Sequence, residues 1–379
     1  MKVNVKPELL RWACERAGFA PDELAGRIPR LPAWERGEAQ PTLKQIEAFA
    51  KATHTPIGYL FLDEPPVETI PISDFRTVPG AQIGKPSPDL LDTIYICQQR
   101  QEWYRDFARS MGESALPFVG SVDLSNNIET TAAHIRHALG MDVAERRQMP
   151  TWAEALRRMI EQADELGVLV MVNGVVGANN HRKLDPEEFR GFALADDLAP
   201  LVFINGADTK SAQMFTLAHE LAHIWLGQSA VSDLEMISTP AHKVEMWCNR
   251  VAAEMLVPLA ALRAEYRGEG MLRAETQRLA RCFKVSTLVI LRRIYDAGGL
   301  SREQFYQAYQ NELALLRTIP KGSGGNFYLT LAVRVSKRFA SALIASTLEG
   351  QTLHQDAFRL LGFSKFATFR ELGHSLGVA

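Results

Sequence analysis

Five consecutive residues, His219-Glu220-Leu221-Ala222-His223, hold the most chemistry in this sequence. On an α-helix, positions i and i+4 lie on one face, so both imidazoles can grip a single Zn²⁺ while Glu220 reaches a water held by that ion. Zinc lowers the pKa of such a water from 15.7 towards about 7, and an adjacent carboxylate can take its proton as it attacks a peptide carbonyl. That is peptide hydrolysis without a covalent intermediate, with zinc as the cofactor. The same pattern also arises on an ordinary amphipathic helix with two partly exposed histidines and a solvated glutamate. Three features weigh against this. Met214, Phe215, Leu217, Ala218, Ile224 and Trp225 make the flanks apolar, which buries the histidines, and unpaired buried polar groups are costly. An apolar β-run ends just ahead at Asn205-Gly206, and a second acidic helix follows.

A catalytic zinc site takes three protein ligands and keeps a fourth position open, so one donor must come from outside the motif. The following helix, from Val244 to Val257, offers two carboxylates. Glu245 and Asn249 are spaced i, i+4 and share a face, so Glu245 can ligate while Asn249 orients a ligand histidine. Glu254 is the competitor. It stands about two and a half turns further on, so the two cannot both point at one metal. The polar partner at i+4 favours Glu245, and Glu254 is otherwise a buried carboxylate satisfying nearby backbone or an arginine.

These residues need elements to hold them. Apolar spacing predicts long helices at about 88–111, 125–139 and 151–167, then a change of period to short β-rich runs at Val168–Val172, Phe189–Leu194 and Leu201–Ile204. Ser211 is expected to cap a helix from Ala212 to Leu226, and a further helix covers Lys243–Leu256 before Pro258. The expected fold is mainly α with a small β-sheet, of the α+β class. Within the sheet, Phe189, Gly191, Phe192 and Ala193 form the candidate edge strand on which an extended substrate could pair its backbone, an ordinary sheet strand being the alternative. Leu279–Arg293 has the look of a helix, turn and helix with Ser286 as cap, for which plain helical packing is the favoured account.

Residues 1–66 read as short helices, with Pro21-Asp22 opening one and Thr42 capping another, and the Asp63–Pro66 stretch marks a boundary. A linker and helical region is expected over 67–150, the chemical core over 151–265 and a helical extension over 266–318. Pro320–Gly325 is a linker by composition, leaving 326–379 as a basic helical module. The 379 residues are 46% hydrophobic and 23% charged, which excludes disordered and fibrous classes. A net charge of −2 excludes a polyanion binder by overall composition. Residues 1–64 hold nine Lys/Arg against nine Asp/Glu, whereas residues 319–379 hold seven against three. Cys14, Cys97, Cys248 and Cys282 stand far apart without a CxxC pair, which excludes a thiol zinc site and points to the cytoplasm. No signal-like segment and no membrane-spanning run is present, so no membrane role is expected.

Met214–His223, followed by Glu245–Pro258 and preceded by Phe189–Leu194 and Phe203–Asn205, resembles the ImmA/IrrE family of bacterial metallopeptidases. The resemblance implies a zincin-like core with His219, His223 and Glu245 as zinc ligands and Glu220 as general base. It further implies a protein substrate of the repressor or antitoxin kind. It leaves the group that stabilises the oxyanion unassigned, with His242 and His181 as candidates. At the N-terminus, Leu10–Gly18, Asp22–Ala25, Trp34–Gly37 and Pro41–Ile46 resemble the helix-turn-helix domain of the Xre/Cro repressors. There the recognition interval, Gly26–Ala33, is short and contains Pro29 and Pro32, which forbid a regular helix. With the neutral charge balance, this makes DNA binding doubtful and leaves Arg27, Arg30 and Arg36 as the residues that could touch phosphates. The leading expectation is a cytoplasmic zinc endopeptidase acting on a regulatory protein. The alternative is an antitoxin or transcriptional regulator of a toxin-antitoxin or mobile-element module, which uses the peptidase fold to bind a toxin or regulator encoded beside it.

Overall fold

The computed structural model describes residues 1–19, 23–24, 26–75, 85–232, 243–268, 270–318 and 327–378. Its chain divides into two units, Met1–Pro71 with Gly84–Ile94, and Ile72–Ile83 with Tyr95–Ala379. The segments expected at 151–265, 266–318 and 326–379 therefore share one unit rather than forming separate bodies.

In the N-terminal unit, α1 (Pro7–Arg16), α2 (Leu31–Glu35) and α3 (Leu43–Ala52) surround a core of Leu10, Cys14, Leu24, Trp34, Ile46 and Phe49. Thr42 caps α3 as expected: it accepts from the Gln45 N–H while the Gln45 side chain reaches back to the Thr42 N–H, a reciprocal capping box. The helix start expected at Pro21-Asp22 lies outside the described residues. Between Gly26 and Arg30 the backbone forms turns, and α2, the helix containing Pro32, is five residues long. Arg27, Arg30 and Arg36 are all exposed. Arg36 donates two hydrogen bonds to the Glu38 carboxylate, at 2.7 and 2.9 Å, so its charge is locally neutralised.

The second unit is built on a five-stranded sheet of β1 (Ser73–Asp74), β2 (Leu169–Asn173), β5 (Gly191–Leu194), β6 (Leu201–Asn205) and β7 (Ala230–Ser232). A separate hairpin pairs β3 (Val175–Val176) with β4 (Asn179–Lys183). The five strands run in the order β1-β7-β5-β6-β2, with β2 parallel to β6, β5 antiparallel to both its neighbours, and β1 parallel to β7. The short β-rich runs at 168–172, 189–194 and 201–204 correspond to β2, β5 and β6. The expectation of an edge strand at Phe189–Ala193 is corrected. β5 is bonded on one side to β6 and on the other to β7, so its backbone groups are already used and no substrate strand can be added there.

Helices α4 (Pro88–Ser110), α5 (Ile128–Ala138), α6 (Val143–Gln148) and α7 (Trp152–Leu166) lie between β1 and β2 in the chain, α8 (Lys210–Leu226) and α9 (Lys243–Leu256) follow β6 and β7, and α10 (Leu259–Glu265), α11 (Leu272–Phe283), α12 (Thr287–Asp296) and α13 (Arg302–Thr318) come after them. The cap of α8 is Thr209 rather than Ser211: its hydroxyl accepts from the Ala212 N–H, and the helix begins two residues earlier than expected. At the other end Gly227, with φ +67°, closes α8 in the left-handed region that a side chain would disfavour. The N–H groups of Gly120 and Val122 satisfy the carbonyls of Ile224 and Trp225 there, at 3.1 and 3.2 Å. One apolar core joins α7, β2, β6, α8 and α9 to α11 and α12 through Ile160, Val170, Leu221, Val251, Phe283 and Ile290. This continuity is why residues 266–318 are not an appendage. Among the described residues no helix is long and apolar enough to cross a membrane.

At the C-terminal end lie α14 (Phe327–Val335), α15 (Lys337–Leu348), α16 (His354–Leu361) and α17 (Phe366–Leu376). Ser336 separates α14 from α15 with φ +68°, accepting from the Phe339 N–H to cap α15 and donating to the buried Asp164 carboxylate of α7 at 2.8 Å. A non-glycine residue in this region carries strain, which these two hydrogen bonds hold in place.

Candidate metal centre

Three elements meet at the cluster. On α8, His219 and His223 are one turn apart, and the Nε2 atoms of both point the same way, 3.1 Å from each other. Helix α9 packs against α8 and brings Glu245 from its first turn, with Oε1 2.9 Å from His223 Nε2 and Oε2 3.3 Å from His219 Nε2. The third element is β7, whose last residue, Ser232, places Oγ 3.2 Å from His219 Nε2 and 3.3 Å from His223 Nε2. His219, His223, Glu220 and Ser232 have no exposure, and Glu245 is 1% exposed.

The Ser232 hydroxyl and the two Nε2 atoms lie within hydrogen-bond distance of one another, but the carboxylates beside them find no donor. Both Glu245 oxygens lie within ion-pair distance of the imidazoles but lack hydrogen-bond geometry, and both Glu220 oxygens and both histidine Nδ1 atoms have no hydrogen-bond partner. Burying so many unpaired polar atoms is unfavourable unless a further charged group is shared among them. A cation satisfies that condition. Donors arranged tetrahedrally at the 2.0–2.1 Å typical of zinc stand about 3.3–3.4 Å apart, close to the separations found here. Among the described residues, His219, His223 and Glu245 form the one histidine, cysteine and carboxylate group able to hold a metal ion.

Protonation follows the same pattern. Burial would raise the Glu245 carboxyl, but the approach of His219 and His223 outweighs it and brings the pKa down to about 2, so the group stays ionised. His223 is pushed below its ordinary value, first by burial, and is neutral. An ionised carboxylate and a neutral imidazole are the states in which these side chains ligate metals. Glu220 is pushed well above the usual carboxylate range, first by burial and then by the negative charge of Glu245. Ser232 pulls it weakly the other way without forming a hydrogen bond.

Glu254, the competing carboxylate, is engaged elsewhere. It pairs with Arg293 of α12 and accepts from the Leu259 N–H at 3.3 Å, while Arg293 also donates to Val257 O at 2.9 Å. Asn249 follows Glu245 by one turn, yet its Oδ1 has no partner and neither Nδ1 is engaged, so the contact expected to orient a histidine is not formed. The shared helix face brought Asn249 near, but the imidazoles turn their Nε2 edges to α9 and leave Nδ1 unpartnered. His181 is exposed on the β4 hairpin, away from the buried cluster, and His242 lies outside the described residues.

Two further residues shape the site: Gly191, read from the sequence only as part of a substrate strand, and Ser232, which carried no motif. Gly191 of β5 backs onto Glu220: a Cβ there would stand 2.5 Å from Thr216 Cγ2, 2.8 Å from Phe203 O and 3.2 Å from Glu220 Oε1. Ser232 is paired with Gly191 in the β5–β7 ladder. A small residue inside an alternating strand was the one available signal for Gly191. For Ser232 the sequence holds none, since its role depends on register. Phe75, which follows β1 and donates its N–H to Val231 O at 3.0 Å, stacks its ring on His223 with centroids 6.2 Å apart.

Residues 163–295 match the model of the IrrE N-terminal-like domain, and residues 335–375 match a domain of unknown function (DUF8813). No curated protein and no solved structure matches the chain. The first match supports the resemblance to the ImmA/IrrE metallopeptidases. It covers the sheet from β2 onward, both helices of the cluster and α11, and it ends within α12, so the similarity runs past residue 265. The core is zincin-like, flanked by helical regions.

Proposed function

We propose that the chain is a zinc-dependent endopeptidase that cleaves a regulatory protein, a repressor or antitoxin-like partner. His219, His223 and Glu245 hold the metal, and Glu220 acts as general base. The observation that carries this reading is the convergence of three buried donors, with Glu245 held ionised and His223 held neutral, beside a second carboxylate, Glu220, with no hydrogen-bond partner. Zinc would supply a Lewis acid and bring the pKa of a bound water towards about 7.

The protein's own part is positioning and proton transfer. His219 and His223 are fixed by a helix whose two ends are both capped, and Glu245 is fixed by the packing of α9 on α8. Glu220, next to His219 on α8, projects from the buried side of the same turn, where Gly191 leaves it room. Its raised pKa reflects burial beside Glu245; a dication held by the three donors would offset that charge and favour the ionised form a base requires. The purified protein should contain about one zinc per chain. Glu220→Gln should keep the zinc and abolish cleavage of a co-expressed neighbouring-gene product; undiminished cleavage by that variant would sink the proposal.

A second reading is favoured by the burial of the entire cluster. Here the fold serves mainly to bind, as an antitoxin or regulator bound to a toxin encoded beside it. Co-expression separates the two, since a stable complex with both partners intact supports binding, and a defined cut in the partner supports the peptidase. DNA contact by the N-terminal unit is the least supported role, resting on Arg27 and Arg30 once Arg36 is paired with Glu38.

A further inference from the structure

The register of the sheet puts an unexpected hydroxyl into the cluster. Directly opposed residues of an antiparallel pair project from the same face, and Ser232 is opposite Gly191. The face of Gly191 is the one that meets Thr216 and Glu220 of α8. Ser232 Oγ is thereby carried in among the donors, fully buried and 3.2 and 3.3 Å from the two Nε2 atoms. Those two distances are close to the edge of about 3.3–3.4 Å expected between zinc donors, and the separations among the three residues already described run from 2.9 to 3.3 Å.

We propose that Ser232 is a fourth protein donor, occupying the position that a hydrolytic site leaves open, so that the resting centre is a closed four-donor site. The inference rests on the reading of the cluster as a cation site. It gives Ser232 a role different from that of the other three: weakly held and displaceable, since a neutral hydroxyl is a poorer donor than imidazole or carboxylate.

The test uses the full-length protein freed of metal with a chelator and reloaded with Co²⁺ or Zn²⁺. In Ser232→Cys, a thiolate at that position should give a thiolate-to-cobalt charge-transfer band in the near ultraviolet that wild type, with Cys248 buried nearby, does not show. In Ser232→Ala, zinc affinity should fall about tenfold, and water-proton relaxation of the cobalt protein should report a coordinated water absent from wild type. Cobalt bound by both variants with no such band, unchanged affinity and unchanged relaxation would overturn the inference while leaving the three-donor site standing. Failure of wild type to bind cobalt any better than His219→Ala would overturn the cation site itself, and the role of Ser232 with it.

Discussion

Two glutamates on one helix, Glu245 and Glu254 of α9, are both buried and meet opposite surroundings. Glu254 is ringed by donors: the Arg293 guanidinium, the Leu259 N–H and, through its backbone carbonyl, Arg136 at 2.7 Å. Glu245 has only the Nε2 edges of His219 and His223 within ion-pair distance, and neither of its oxygens accepts a hydrogen bond. A buried carboxylate that holds a fold together comes with its counter-charge built in. One that serves as a ligand is left incomplete, and that incompleteness is what marks the chemical end of α9.

The contrast can be broken from either side. The largest effect is expected at the incomplete end: Glu245→Ala should weaken zinc binding by more than the roughly 10–100-fold that follows loss of an outer partner. Equilibrium competition with a chromophoric chelator measures it. At the complete end, Glu254→Ala should leave zinc affinity unchanged and destabilise the fold by about 1–3 kcal/mol, because Arg293 loses a buried carboxylate while keeping Asp296 at 3.3 Å and the Val257 carbonyl at 2.9 Å. Denaturant unfolding measures this, and a loss of zinc affinity with normal stability would reverse the assignment of the two residues.

Asp164 sharpens the comparison as an intermediate case. It accepts from Ser336, from the Val170 N–H and from the Lys337 N–H, but burial still dominates and raises its pKa to about 6. A folded-state pKa above the unfolded value of about 3.9 means that the native state binds the proton more tightly. Asp164 therefore favours folding fully below about pH 4, and that contribution declines as pH rises to about 6, by on the order of 2–3 kcal/mol. Unfolding free energies between pH 4 and 7 should show this decline in wild type and a flatter profile in Asp164→Asn. The smallest change is expected at Gly191→Ala, which should cost about 1–3 kcal/mol by overpacking against Thr216 and the Phe203 carbonyl. Zinc content should be retained, with Glu220 displaced.

The parts of this molecule that follow from local rules were legible in the sequence. The α9 boundaries, the caps Thr42 and Ser286, and the strands at 169–173 and 201–205 all follow from periodicity or capping chemistry over a few residues. The pair of histidines is legible for the same reason, since one helical turn fixes their relation. What escaped depends on contacts distant in sequence. β5 looked like an edge because β7 and β1, its cover, are three and two residues long and carry no pattern of their own. Ser232 escaped because its side chain is aimed by the β5–β7 register, and the break at Ser336 because it is stabilised by Asp164, far back on α7.

The two-residue strand β1 has a practical consequence for dividing the protein. It is the outermost strand of the sheet, though it precedes the rest of that sheet by almost a hundred residues and follows the N-terminal helices directly. A fragment cut at the start of α4 would contain His219, His223 and Glu245 yet expose the bare rim of β7, the strand that ends in Ser232. A fragment beginning at Ile72 keeps that rim covered, and the two would differ in solubility although their helices and the cluster are the same.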